Sequence, residues 1–208
     1  MPRPVFILEP ATDAALKAGI KILAPFLPFD IAEKGKGTVL RFRKSGPGPR
    51  IMVEKDGITV IHAVACQAYR ALGLMAGMVK ASGKIAQILE TPEFKLLNVM
   101  LDVSRNLVLR PEMVRTLLAH YALMGINSVM LYAETTYEVK GEPYFGYLTG
   151  HYRQKELEDI DTYARALRIE MFPCIQTLAH LARALQWPIY GKVRDTTTVT
   201  MVDEEATY

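Results

Sequence analysis

The chain has 208 residues, half of them hydrophobic, with 25 Lys and Arg against 22 Asp and Glu and a formal net charge of +3. That length and apolar fraction suffice for one large or two small domains with a proper core, while so weak and scattered a positive charge gives no reason to expect nucleic acid. Two cysteines, Cys66 and Cys174, lie far apart without CxxC or CxxH spacing; this argues against a zinc site, gives no disulfide framework and predicts two buried thiols.

The amino terminus, MPRPVFILEPATD, has four consecutive apolar residues before a Glu and a Pro, too few for a signal-peptide core, and predicts a cytoplasmic protein. PVFILE reads as a short strand and TDAALKAGIKIL as a helix capped by Thr12 or Asp13. GTVLRFRK and RIMVEKDGITVIHAV alternate apolar with polar residues around an Asp56-Gly57 turn, which predicts antiparallel strands. The most apolar window, Val60 to Val79, is interrupted by His62, Gln67 and Arg70, so no membrane span is expected where each midplane charge costs about 3 kcal/mol. From Cys66, Tyr69, Leu72, Met75 (or Met78) and Val79 recur at helical spacing, a stripe suited to covering one face of that sheet. Residues 1–93 therefore read as an α+β domain, with Pro92 in ETPEF marking a boundary.

Beyond it, in residues 94–208, strands and helices alternate: strand at LLNVMLDV, helix from Pro111 to Met124, strand at NSVMLY, helix from about Gln154 to Leu167, strand at MFPCIQTL. The strands are near-continuous apolar runs, as parallel strands buried on both faces require. Pro111 opens the first helix where no amide donor is needed, and Gly125 follows its end. The turns after the strands, SRNLVLRP and ETTYEVKG, lack GxGxxG and GxxxxGK, which disfavours a nucleotide fold and leaves the (β/α)8 barrel, with its chemistry at the carboxyl ends of the strands.

Charged or titratable residues do arrive at those ends: Asp102 and Arg105 after the first strand, Glu134 after the second, His180 after the third. Gathered on one rim, Glu134, Arg105 and His180 can satisfy one another and face a ligand. Each also has a plainer reading. Asp102 can bond the amides of its own loop, Arg105 can serve only to pair with Asp102 or Glu134, and His180, before LARAL, can be a structural residue at a helix start. Glu134 sits too deep in apolar sequence for a casual surface charge. The loop aromatics Tyr137, Tyr144, Phe145 and Tyr147, and Trp187 further on, either stack on a sugar or pin the loop. No cofactor or metal pattern is visible.

NVMLDVSRN, MLYAETTYEVKGEPYFGYLTGHYRQKELEDIDTYA and IEMFPCIQTLAHL resemble glycoside hydrolase family 20, the β-N-acetylhexosaminidases, especially the bacterial branch with LYTEDTYEV. The resemblance covers about residues 96–208, and the preceding segment, with YRAL at Tyr69 to Leu72, resembles the small non-catalytic domain before the barrel. It implies retaining, substrate-assisted hydrolysis, in which the sugar's own 2-acetamido oxygen attacks the anomeric carbon. It further implies that Arg105 hydrogen-bonds the O3 and O4 hydroxyls of a terminal N-acetylhexosamine, and that Glu134 pairs with His180 to support the general acid.

Thr135 stands where that branch has Asp, and Ala179 replaces the glycine before the histidine, a strain if the turn needs positive φ. The family's adjacent Asp-Glu pair, which positions the acetamido group and protonates the leaving oxygen, belongs to a fourth strand. Asp203-Glu204-Glu205 reads instead as a charged helix start after the third. The chain is thus expected to be a truncated barrel with three of eight strands, catalytically incomplete, with an open edge for self-association. The resemblance implies an N-acetylhexosamine-containing glycan as its partner, and neither nucleic acid nor membrane is expected. The alternatives are a non-catalytic carbohydrate-binding or assembly module, and an unrelated barrel enzyme.

Overall fold

A computed structural model describes residues 2–105, 108–177 and 179–194. The first part of the chain runs β1 (Val5–Leu8), α1 (Ala14–Leu23), β2 (Asp30–Ala32), β3 (Thr38–Lys44), β4 (Arg50–Glu54), β5 (Gly57–His62), α2 (Ala65–Ser82) and β6 (Ile88–Leu89). Its strands form a mixed sheet in the order β2-β1-β3-β5-β4-β6. Asp13 caps α1, its carboxylate accepting from the Leu16 amide at 2.9 Å. Helix α2 buries Ala68, Tyr69, Ala71, Leu72 and Met75 and stops at Gly83, which takes the left-handed conformation a side chain resists. The short edge strands β2 and β6, three and two residues long, carry too little sequence to show an alternation.

The expectation that all of these central strands are antiparallel is corrected. Only β4 and β5 form an antiparallel hairpin; β3 pairs with β5 in parallel, Val39 opposite Gly57 and Lys44 opposite His62. Residues 45–49, with two glycines and two prolines, carry the chain from β3 past the position that β5 then fills. The turn is therefore Lys55-Asp56, because Gly57 already belongs to β5. There a β-carbon would lie 2.5 Å from the Val39 carbonyl oxygen, so the close approach of β3 to β5 requires glycine.

The second part runs β7 (Asn98–Asp102), α3 (Pro111–Met124), β8 (Ser128–Tyr132), α4 (Gln154–Ala166), β9 (Glu170–Cys174) and α5 (Ala182–Leu185). Its three strands are parallel in the order β7-β8-β9, with Asn98, Ser128 and Glu170 in register at one end and Asp102, Tyr132 and Cys174 at the other. Pro111 opens α3 and Gly125, at φ 84°, closes it. The side chain of Glu156 accepts from the Arg153 amide at 2.8 Å and ties off the start of α4.

Burial on both strand faces, expected from the apolar runs, holds for one face only. Val129 and Leu131 are buried in the core with Val99, Leu101 and Met171 packed beside them, whereas Met100 and Phe172 on the opposite face are 57% and 38% exposed. Helices α3 and α4 lie against each other, with α4 also on β9, so both crossovers cover the same face. Cys66 and Cys174, expected buried, are free and half-buried.

A single hydrophobic cluster runs from Phe6 through Leu72 and Leu118 to Ile169 and so includes residues of both sheets. Helix α2 packs on α3 so closely that a β-carbon at Gly73 would fall 2.0 Å from the Leu123 carbonyl oxygen. The fully buried Tyr69 reaches across to the end of α4, its hydroxyl donating to the Ala166 carbonyl at 3.4 Å. Among the described residues no helix is long and apolar enough to cross a membrane.

Candidate functional site

Parallel pairing brings the carboxyl ends of β7, β8 and β9 to one rim, and the residue types singled out in the sequence follow those ends. Asp102 closes β7. One of its oxygens accepts from both the amide and the hydroxyl of Ser104, each at 2.8 Å, fixing the loop that presents Arg105. Its other oxygen lies 3.6 Å from Arg105 Nε.

Arg105 Nη2 lies 3.9 Å from Glu134 Oε1. The same carboxylate oxygen accepts from the Tyr132 hydroxyl at 3.1 Å, and the guanidinium carbon stands 5.9 Å from the centre of the Tyr132 ring. Tyr132 is the last residue of β8, and the left-handed turn at Glu134 brings the carboxylate back to its hydroxyl. Tyr132 is the rim residue that sequence reasoning missed, because the turn that joins its hydroxyl to Glu134 follows the strand and does not continue its alternation. The Glu134 side chain is only 10% exposed, against 60% for that of Arg105. A nearly buried carboxylate therefore anchors one side of a guanidinium whose remaining donors face solvent. The Tyr132 hydroxyl, and then the charge of Glu134, push the Arg105 guanidinium above its ordinary value. Burial pushes the Tyr132 phenol up as well.

Glu134 also has an uncommon backbone conformation. Its φ is 31°, in the left-handed region that residues with a β-carbon avoid. The turn is held by Thr136, whose amide and hydroxyl both donate to the Ala133 carbonyl, at 2.7 and 2.8 Å. Thr135 and Thr136 are each 1% exposed. His180 also has positive φ, 57°. The left-handed residue is thus the histidine itself and not Ala179, where a β-carbon threatened to strain the turn. Leu148 and Arg168 share the conformation, at φ 63° and 57°, so left-handed backbone accompanies the two candidate residues without by itself marking a site.

The structure brings Arg105, Asp102 and Glu134 together. It places His180 at the carboxyl end of the third strand's loop, exposed, and among the described residues it forms no ion pair with Glu134. The Asp203-Glu204-Glu205 run lies outside the described residues. Among those described, no group of His, Cys, Asp and Glu side chains gathers to hold a metal ion.

The rim loops brace one another. The Tyr152 hydroxyl donates to the Leu109 carbonyl at 2.6 Å, Arg183 Nη1 donates to the Ser104 carbonyl at 3.3 Å, and the Tyr190 hydroxyl donates to Glu142 at 3.1 Å. The loop after β8 is thereby tied both to the loop that carries Arg105 and to the segment after β9.

No family model and no curated protein sequence matches the chain. Its fold, however, is similar to solved structures of glycoside hydrolase family 20. Against the exo-β-N-acetylglucosaminidase of Vibrio harveyi the TM-score is 0.68 at 15% identity, covering 88% of this chain and 35% of that one. Against the β-N-acetylhexosaminidase of Bacteroides fragilis it is 0.67 at 16% identity, covering 99% and 46%. Against the N-acetyl-β-hexosaminidase of Streptomyces plicatus it is 0.67 at 18% identity, covering 89% and 44%. The chain thus spans less than half the length of these proteins. Across most of its residues it has the fold of the corresponding part of the glycoside hydrolase family 20 β-N-acetylhexosaminidases.

Proposed function

We propose that the chain supplies part of the subsite for a terminal N-acetylhexosamine in a β-N-acetylhexosaminidase-like protein, its three parallel strands being the first of a (β/α)8 barrel. The observation that carries this reading is the position of Arg105, exposed at the rim and backed by Glu134 at 3.9 Å. A guanidinium held from behind by a carboxylate presents its outer donors as a fork, suited to two adjacent sugar hydroxyls. On this reading Arg105 takes the O3 and O4 hydroxyls. Glu134 fixes Arg105, and in the assembled site it also orients His180, which supports the general acid.

In substrate-assisted hydrolysis the acetamido oxygen of the sugar is the nucleophile. The protein's tasks are then to grip the ring, position the acetamido group and protonate the leaving oxygen. The described residues serve the first and offer support for the last, so the chain alone is read as binding sugar without turnover. Calorimetry with N-acetylglucosamine tests the grip: wild type shows saturable heat, and Arg105→Ala loses it. Equal binding by both proteins would remove Arg105 from the subsite. A chromogenic N-acetylglucosaminide tests incompleteness. Turnover by the purified chain that disappears in Glu204→Gln would identify Asp203-Glu204 as the catalytic pair after all.

The second reading, a non-catalytic carbohydrate-binding or assembly module, is favoured by the open face of the parallel sheet, where Met100 and Phe172 are exposed. It predicts that the chain associates with itself in sedimentation experiments and that association weakens in Met100→Lys.

A further inference from the structure

At the amino ends of β8 and β9, opposite the Arg105 rim, the seam between the two halves of the chain opens into a cavity of about 860 Å³. Its walls come from both halves. Lys44 and His62 end β3 and β5, Lys95 precedes β7, and Arg168 lies in the turn between α4 and β9. That volume is ample for a small organic ligand.

Three of the lining side chains, Lys44, Lys95 and Arg168, are cations, and among the described residues none of them forms an ion pair. By contrast, Arg41, Arg43, Arg70 and Arg165 each meet a carboxylate. Two carboxylates also line the cavity. Asp13 is already engaged by the Leu16 amide, and Glu170 forms no ion pair either, which leaves the wall with an excess of positive charge. Helix α2 adds to that excess. Its 18 residues begin at this wall with Ala65 and Cys66, and Val64 at its N-cap supplies no side-chain acceptor, so the positive end of the helix dipole is open to the cavity. His62 is 6% exposed, and its Nδ1 is buried without a hydrogen-bond partner in good geometry. Buried polar atoms ordinarily have such a partner, so the wall also holds an unused one.

We propose that this cavity binds a small polyvalent oxyanion, a phosphate ester or a polycarboxylate, which Lys44 and Arg168 grip from the two halves of the chain while its charge lies before the first turn of α2. A dense anionic group answers three unpaired cations and a helix N-terminus together, which neither a neutral sugar nor a cation does. The ligand joins the two halves, and the site is independent of the sugar reading of Arg105.

The test titrates the purified chain with inorganic phosphate and with citrate in the low millimolar range, below the concentrations at which such salts stabilise proteins generally, against chloride at equal ionic strength. Saturation of a site present only in the folded state is expected to raise Tm by about 5 °C. The shift should vanish in Lys44→Gln and in Arg168→Gln and persist in Lys80→Gln, whose charge lies outside the cavity. Lys44 and Arg168 are exposed, so neither substitution disturbs the core, and unfolding without added anion checks each variant. Replacing Cys174 by Ser leaves Cys66 as the single thiol, and its alkylation should slow about tenfold when the anion is present at about ten times its Kd. A shift with phosphate alone assigns a phosphate ester, one with citrate alone a polycarboxylate, and one with both their shared chemistry; each supports the site. No shift, an equal shift in chloride, a shift that survives both cavity variants, or alkylation of Cys66 at an unchanged rate overturns it.

Discussion

Helix α2 contains two glycines, four residues apart, whose replacement by alanine should have opposite effects. A β-carbon at Gly73 would sit 2.0 Å from the carbonyl oxygen of Leu123 in α3, where ordinary contact begins at 3.4 Å, and 2.9 Å from its carbonyl carbon. These are backbone atoms, so no side-chain rotation relieves the clash and the two helices must part. Overpacking of this kind costs about 3 kcal/mol, and exchanging glycine for alanine within a helix returns about 1 kcal/mol of propensity. Gly73→Ala should therefore destabilise the protein by about 2 kcal/mol. At Gly77 a β-carbon would have nothing within 4 Å of it, and the residue is exposed. Gly77→Ala should keep only the propensity gain and stabilise by about 1 kcal/mol. Urea unfolding of the two variants at equal slope reads the difference as a shift in midpoint. A Gly73→Ala protein as stable as Gly77→Ala would refute the close α2–α3 packing on which the arrangement of the two sheets depends.

Two further outcomes follow from local chemistry. Asp13→Ala removes the acceptor of the Leu16 amide at the start of α1 and should lower the unfolding free energy by about 1 kcal/mol in the same assay. His62 is 6% exposed, and burial holds its imidazole below the ordinary value, with nearby Lys44 adding to the effect while a backbone bond to Val64 and the charge of Asp13 oppose it. Because the folded state resists the proton that the unfolded chain accepts near pH ~6.5, stability is complete above that pH and falls as pH drops toward the lowered value. His62→Phe, which keeps an aromatic ring beside Phe42, should flatten the decline between about pH 7 and pH 5; an unchanged slope would assign the acid sensitivity to other groups.

Much of the architecture was legible because it is local. Asp13 before an apolar stripe, Pro111 and Gly125 at the two ends of α3, and the apolar runs of β8 and its neighbours each announce an element through two or three adjacent residues. Pairing was less legible, since strand alternation around Asp56 and Gly57 shows a hairpin but not which distant strand lies beside it. The parallel contact of β3 with β5 depends on a third strand being fitted between two that follow one another in sequence. Apolar runs also concealed the difference between faces: Met100 and Val99 look equally suited to burial, and only the side on which the crossover helices pack distinguishes them. At the rim, the convergence of Arg105 and Glu134 followed from parallel strands alone. The relation of His180 to Glu134 did not, because it depends on the backbone of a loop, and neither did the partnership of Tyr132, whose hydroxyl was hidden among apolar neighbours.

The shared hydrophobic cluster bears on how this protein comes apart. Tyr69, anchored in the helix of the mixed-sheet half, ends at a carbonyl of α4, so loosening either half exposes groups that belong to the other. Heating should accordingly melt the chain in one cooperative step, and excising the mixed-sheet half should leave the remainder short of a core instead of liberating an independent module.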